Sequence, residues 1–447
     1  MTVELGLTDG ARPAKGKRKK DDFFYSEVSR PRRLKKAWAK VYQNGISSKC
    51  ERTRREVHEF SQESDRYLDQ IYRSLLKRKW KFETAEGIEI PRPGKDPRPI
   101  VRSPIPSRIV QRSLLDVLQD IPDLEIYYNI KTSFGGLENK GVRQAIEALY
   151  LSIRDGAKFY LRTDIEGFFR GIPKQNVLDK ISHVVEDPLF NELLKDSLFT
   201  ELSNLDQIRR KDLFPTWDIG VAQGCCLSPL IGNILLSEFD AMMNGRGITC
   251  LRYIDDFIIL SDDENKIIKA FEKANLMLKT FGLKVYDPSV EKEKAQFGEI
   301  WRGLEFLGCE IYPSHVCPSK KSRERLITNL KALLRRSKSL MRDPSKLNYE
   351  KASVTETLFH VSNILKGWGN QYSFCNSYMI MRNLDLQIDA LLNDYFSYYA
   401  GMKKVFNSKN DFTNLRRLIG VHVLTDSKSN PILSNAIPQK AISISKV

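Results

Sequence analysis

Cysteine and histidine are scarce. The 447 residues include seven cysteines (Cys50, Cys225, Cys226, Cys250, Cys309, Cys317 and Cys375) and five histidines (His58, His183, His315, His360 and His422). The cysteine count is odd and no C-x-x-C pair occurs, which argues against a zinc site and against a disulfide framework. A reducing, cytoplasmic setting is therefore expected. The histidines are scattered and form no metal-ligand cluster. No run of about 18 apolar residues is present, so a membrane-spanning helix is not expected. Residues 1–20 are basic and polar with no apolar stretch, so they do not read as a secretory leader. Repeats of the ~20–50 residue kind that build solenoids are also missing.

What the chain has in excess is positive charge. The formal net charge is +16, and it is unevenly placed. Residues 1–80 hold 21 Lys and Arg against 11 Asp and Glu, and residues 318–346 hold 10 against 2. Such clustering predicts a polyanionic partner, nucleic acid ahead of an acidic membrane surface, although a solvated helix face explains each cluster taken alone. With 41% hydrophobic and 29% charged residues the body should be globular. Its length suits two or three subdomains around a shared site.

Residues 1–22, centred on Lys15-Gly16-Lys17-Arg18-Lys19-Lys20, are expected to be a flexible basic tail. Residues 23–85 read as a helical extension, with Leu34, Trp38 and Val41, then Leu68, Ile71, Leu75 and Leu76, at helical spacing. Proline recurs through Pro91, Pro93, Pro97 and Pro99, which excludes a helix and predicts a hairpin tip bearing Arg92, Lys95 and Arg98. An amphipathic helix is expected over 108–121, a strand over 159–164, and a turn followed by a helix over 220–240. Residues 251–260 read as strand, tight turn and strand. An amphipathic helix over 323–341 buries Leu326, Leu330, Leu333, Leu334 and Leu340 and exposes Arg325, Lys331, Arg335 and Arg336.

Three of these segments carry chemistry. In Tyr253-Ile254-Asp255-Asp256 two adjacent acids sit between apolar strand-like runs, and a hairpin turn is needed to bring both near one place. Burying them beside so many aliphatic residues is costly unless a cation neutralises them, and Mg²⁺ takes such hard oxygen ligands. Asp164, at the end of a separate strand, supplies the third carboxylate that a two-metal phosphoryl-transfer site uses. Gln223-Gly224-Cys225-Cys226-Leu227-Ser228-Pro229 is a turn where backbone can approach a ligand, followed by a helix start. Taken singly, each also reads as an ordinary turn or cap.

Together and in this order, the cationic hairpin, the strand-end Asp, Q-G-x-x-x-S-P and Y-x-D-D make the chain resemble the reverse transcriptases, over roughly residues 30–400. The resemblance implies an α+β right-hand polymerase. Fingers and palm, with an antiparallel sheet plus helices, would span 86–317, a helical thumb 318–400 and a C-terminal extension 401–447. It implies Asp164, Asp255 and Asp256 as catalytic acids, with the Ile165 carbonyl as a further metal ligand for two Mg²⁺ ions, or Mn²⁺. Arg98 would grip the triphosphate, with Lys95 or Arg92 as a second grip. Gln223 and Gly224 would lie beside the incoming nucleotide, and Phe169 would exclude a ribose 2′-oxygen, selecting dNTPs. Lys292 or Lys294 would sit near the pyrophosphate. Leu365-Lys366-Gly367-Trp368-Gly369-Asn370-Gln371-Tyr372 is similar to the thumb of group II intron enzymes, but their cysteine/histidine endonuclease pattern is missing. The branch most resembled is the defence-associated (unknown-group) reverse transcriptases. That implies a bacterial, cytoplasmic enzyme copying a structured non-coding RNA into cDNA in antiphage defence, with no membrane partner. The alternatives are an intron-derived, maturase-like splicing factor and a retron-type enzyme.

Overall fold

In the computed structural model, residues 22–199, 201–421 and 423 are described. The expected basic tail, apart from Asp22, and residues 424–447 of the expected extension lie outside them. Two compact units divide the chain, Met1–Phe306 and Leu307–Val447, each with its own hydrophobic core.

The first unit begins with four helices, α1 (Phe23–Ser29), α2 (Pro31–Ile46), α3 (Glu51–Gln62) and α4 (Ser64–Leu76). Pro31 opens α2, where a missing N–H costs nothing. Leu34, Ala37 and Val41 of α2 and Leu68, Ile71 and Leu75 of α4 are buried at the i, i+3, i+4 spacing of one helix face. The proline-rich stretch forms a two-stranded hairpin, β1 (Glu86–Arg92) and β2 (Lys95–Arg102), turning at Gly94 with φ +68. Pro97 and Pro99 fit within β2 because a two-stranded ribbon leaves one side of each strand without ladder partners.

The helix expected at 108–121 is α5 (Ile105–Gln119). It is not amphipathic: Ser107, Gln111, Ser113 and Asp116 are buried along with its aliphatic residues. Two of them find distant backbone partners: Ser113 Oγ donates to Val28 O at 2.8 Å and Gln111 Nε2 to Ser197 O at 3.3 Å. Asp116 pairs instead with Arg112 on its own helix, and its Oδ2 has no hydrogen-bond partner.

Then follow α6 (Pro122–Tyr128), β3 (Ser133–Phe134), α7 (Val142–Arg154), β4 (Phe159–Asp164), α8 (Phe168–Gly171), α9 (Lys174–Val184) and α10 (Pro188–Leu198). The single helix expected before Asp240 is two, α11 (Ser228–Leu235) and α12 (Ser237–Met242), with no Gly or Pro at the break. The unit ends with β5 (Ile248–Tyr253), β6 (Asp256–Ser261), α13 (Glu264–Thr280), β7 (Gln296–Glu299) and β8 (Leu304–Phe306). Five strands form one sheet in the order β3-β5-β6-β4-β7. All pairings are antiparallel except the short parallel one between β3 and β5. Phe257, Ile258, Ile259 and Leu260 of β6 are all buried, as a central strand covered on both faces requires.

In the second unit, β9 (Cys309–Ile311) and β10 (Val316–Pro318) pair antiparallel. The helices are α14 (Lys320–Leu340), α15 (Leu347–Glu350), α16 (Val354–Gln371), α17 (Tyr378–Ser408) and α18 (Phe412–Ile419). Leu326, Leu330 and Leu334 of α14 meet Val361 of α16 and Leu384, Ile388 and Tyr395 of α17 in one core. The Tyr395 hydroxyl shares a 2.8 Å hydrogen bond with Ser337 Oγ. Among the described residues, no helix is long and apolar enough to cross a membrane.

Candidate active site

Two pieces of sheet geometry collect three acids. Asp164 is the last residue of β4 and stands opposite Asp256, the first of β6; facing residues of an antiparallel pair project to the same side. Tyr253 pairs with Asp256, leaving Ile254-Asp255 as a two-residue turn between β5 and β6. The Ile165 amide donates to the Asp255 carbonyl at 3.1 Å, which ties the end of β4 to that turn. Ile254 has φ +61, a left-handed conformation that costs a β-branched residue on the order of 1–3 kcal/mol.

That turn is supported from below. Arg252 is fully buried and uses all five of its N–H donors. Nε and Nη2 reach Asp240 at 2.8 and 2.6 Å, Nη1 reaches Asn233 Oδ1 at 3.0 Å and the Ile254 carbonyl at 2.8 Å, and Nη2 also reaches Ser133 Oγ at 2.6 Å. The Ile254 amide donates to Phe134 O at 3.1 Å. Gly135 has φ +84, and a Cβ there would stand 2.7 Å from Ile254 Cγ1. Sequence reasoning passed over Arg252, Asp240 and Asn233. The one available signal was an arginine inside an apolar strand, which must find a counter-ion if the strand is buried.

The acids make one another's ionisation unfavourable. Burial raises Asp164, opposed by Lys294 and Arg162. Burial also raises Asp255, and the charge of Asp164 adds to it. Asp256 reaches solvent, yet surrounding protein, followed by Asp255 and Asp164, pushes it up to about 7. Lys294 Nζ lies 3.6 Å from Asp164 Oδ2 and 4.7 Å from the centre of the Tyr286 ring. Of the two lysines singled out in the sequence, Lys294 is therefore the one at the acids. Mutually repelling carboxylates beside a cation are a donor set that suits a divalent ion. Among the described residues no group of three or more His, Cys, Asp or Glu side chains is placed to hold a metal ion by itself. Mg²⁺ typically binds one or two carboxylates and completes its shell with water and phosphate oxygens.

The expected nucleotide-binding residues fall into two groups. Arg98 Nε donates to Gln223 Oε1 at 3.3 Å, and Val101 N to Gln223 O at 2.9 Å. The turn at Gly224, φ +107, thus lies against β2, and a Cβ at Gly224 would be 3.2 Å from Val101 O. Lys95 is close enough to act on Asp164. Arg92 is not brought to the acids by any contact; its Nε bonds Asp96 O within its own hairpin at 2.8 Å. The Phe169 carbonyl accepts from Val221 N at 2.7 Å, and its ring lies 5.4 Å from that of Phe168.

Lys174 was also missed, because a lysine at a helix start reads as a surface residue. It is 1% exposed. Its ammonium donates to Thr216 O at 2.7 Å and Trp217 O at 3.2 Å and lies 4.7 Å from the centre of the Phe199 ring. Burial pushes it down to about 8, with Asp218 opposing. With Gly220 N bonded to Ile172 O at 2.8 Å, it clips the segment leading into Gln223 onto α8 and α9.

An antiparallel sheet with three carboxylates at neighbouring strand ends, beside a cationic hairpin, defines a palm of the nucleic-acid polymerase class. Residues 90–311 match the family described as reverse transcriptase (RNA-dependent DNA polymerase), and the chain carries a reverse-transcriptase domain over that stretch. Protein YkfC of Escherichia coli is 26% identical over 166 residues, covering 36% of this chain and 41% of that protein. The uncharacterized 91 kDa protein in the cob intron of Schizosaccharomyces pombe is 26% identical over 174 residues, 39% of this chain and 20% of that one. The putative COX1/OXI3 intron 2 protein of Saccharomyces cerevisiae is 22% identical over 185 residues, 40% and 20%. The chain thus spans about two fifths or less of the length of these curated relatives. Among solved structures, a partial Cas6-RT-Cas1–Cas2 complex is similar at 22% identity, covering 62% of this chain and 45% of that chain with a TM-score of 0.34. Apo telomerase from Candida tropicalis is similar at 14% identity, 75% and 68%, with a TM-score of 0.39.

Proposed function

We propose that this chain is an RNA-directed DNA polymerase, extending a 3′ end with deoxynucleotides on an RNA template. The observation that carries this reading is the gathering of Asp164, Asp255 and Asp256 at one end of the sheet within the reverse-transcriptase domain. Asp164, Asp255, Asp256 and the Ile165 carbonyl would hold two Mg²⁺ ions, with Mn²⁺ as a substitute. Bound there, such ions activate the attacking 3′-oxygen and neutralise the leaving pyrophosphate. Arg98, with Lys95, binds the triphosphate, guanidinium geometry suiting paired phosphate oxygens. Gln223 and Gly224 hold the base end of the site, Phe169 closes the space beside C2′, and Lys294 neutralises Asp164. In its finer form the reading is synthesis of cDNA from a structured non-coding RNA, in antiphage defence, in the bacterial cytoplasm.

A second reading, an intron-derived RNA-binding or splicing factor, draws support from the intron-encoded relatives. Primer extension on an RNA template separates the two. With Mg²⁺ and dNTPs, wild type should extend and rNTPs should not substitute. Asp255→Ala should abolish extension while RNA affinity, supplied mainly by phosphate contacts, stays within about threefold. No extension from any primer, with RNA bound equally by wild type and variant, would leave the splicing-factor reading standing and remove the polymerase one.

A further inference from the structure

Two adjacent thiols lie outside the machinery described so far. Cys225 and Cys226 sit between Gly224 and the start of α11, both partly exposed, adjacent in the chain and close enough for each thiol to act on the other's ionisation. The backbone around them is closed by Cys225 N to Ala222 O at 3.2 Å, Ser228 N to Cys225 O at 3.3 Å and Ser228 Oγ to Ala222 O at 2.7 Å. The two sulfurs are therefore held together on a short, irregular turn.

α5 carries Arg108 and Arg112, one helical turn apart; Arg108 is close enough to act electrostatically on both thiols and Arg112 on Cys226. No carboxylate forms an ion pair with Arg108 among the described residues. Arg112 pairs with Asp116 at 2.7 Å, while its buried Nε has no hydrogen-bond partner. Backbone amides favour the thiolate, the reactive form of cysteine, at Cys225, whereas Cys226 is held well above its ordinary value by Cys225 and by burial, with Arg112 opposing. Cys225 is drawn below its ordinary value by the Cys226 thiol and, against burial, by the amides of Leu227 and Ser228. The same turn is bonded through Gln223 to Arg98 and Val101, so a change at the sulfurs is transmitted to the nucleotide-binding residues proposed above.

We propose that Cys225 and Cys226 form a modification site, a vicinal dithiol that captures a soft, thiophilic centre of the trivalent-arsenical class through both sulfurs and so pulls Gln223 away from the nucleotide. With an arylarsine oxide, two As–S bonds form and the As–O bonds break. The two thiol protons leave with the oxygen as water, and nothing is oxidised or reduced. The effect on Gln223 rests on the polymerase reading, whereas the capture does not.

The test treats the full chain with one equivalent of phenylarsine oxide and reads its intact mass. Wild type and Cys375→Ser should each carry one phenylarsenic group, released by 2,3-dimercaptopropanol and not by 2-mercaptoethanol. Cys225→Ser and Cys226→Ser should carry none. The control matters because Cys375 and Cys309 are close enough to influence one another and make a competing thiol pair. Peptide mapping of the wild-type adduct decides the site even if a serine variant fails to fold. No adduct, an adduct that survives in both Cys225→Ser and Cys226→Ser, or one lost in Cys375→Ser would overturn the proposal. In the extension assay, the adduct should slow wild type at least ~10-fold and leave Cys226→Ser at its own untreated rate. An adduct at Cys225 and Cys226 with undiminished extension would overturn the transmitted effect. If untreated wild type does not extend, the polymerase reading fails, and the mass result still decides the dithiol.

Discussion

Aspartates of opposite character are linked through the turn between β5 and β6. Asp240 is buried with a fully committed guanidinium, their side chains 2% and 0% exposed. Asp255 and Asp256 are crowded by protein and by each other. Removing one partner of a buried pair strands the other charge, so Asp240→Ala should cost about 3–5 kcal/mol in urea unfolding. A loss below about 1 kcal/mol would mean that Arg252 finds another acceptor and that the turn does not depend on the pair. Asp256 behaves in the opposite way. Its folded-state value of about 7 lies above the ordinary carboxylate value of 3.8. Between those limits the folded chain holds a proton that the unfolded chain has released, so stability falls as pH rises through that window and levels off above it. Thermal melts in EDTA should show this fall, and Asp256→Asn should flatten it. Because a cation offsets the repulsion of the ionised trio, Mg²⁺ should raise Tm more at pH 8 than at pH 5. Equal Mg²⁺ effects at both values would argue that the ion does not bind these carboxylates.

Elements place these residues, and the ease of reading them from sequence differed for a physical reason. β4 is a short apolar run that ends in an aspartate and β6 one that begins with an aspartate, so period and polarity announce both the strands and the acids. The Arg252 network joins Ser133, Asn233 and Asp240, and Ser113 and Gln111 of α5 are satisfied by carbonyls at Val28 and Ser197. Such pairings are long-range, and no local pattern encodes them. Lys174 belongs with them: its chain position suggests solvent, and its carbonyl partners come from a segment some 40 residues later. Its role is to position the segment that enters Gln223. Lys174→Met keeps most of the volume but deletes both hydrogen bonds, and should cost roughly 1–3 kcal/mol of stability. The KM for dNTP should rise several-fold more than kcat falls, because the lost support acts on nucleotide binding. Equal changes in dNTP KM for Lys174→Met and for a core substitution of similar stability cost would reduce Lys174 to a packing residue.

At the scale of the molecule, composition overstates the charge available to a polyanion. Residues 318–346 hold ten cations, yet Arg323, Arg336, Lys338 and Lys346 pair with Glu310, Glu350, Asp394 and Asp343. Among the described residues no carboxylate pairs with Lys320, Lys321, Arg325, Lys331, Arg335 or Arg342. Between α14 and α17 a groove of about 430 Å³ is lined in part by Lys320, Arg323, Lys331, Asn383 and Gln387, donors that suit phosphate oxygens. If this unit binds RNA through its backbone, only the unpaired cations release counterions, each contributing about −0.7 to the slope of log K against log salt on a single strand. Replacing Lys321, Arg325, Lys331 and Arg335 together with Gln should make that slope shallower by about 3. Replacing Arg336 and Lys338 should change it by much less, because their charge is already spent on Glu350 and Asp394. The two variants thus separate location from net charge. Slopes that fell in proportion to the number of cations removed, whichever ones they were, would show a long-range field at work and take the specific phosphate track away from α14.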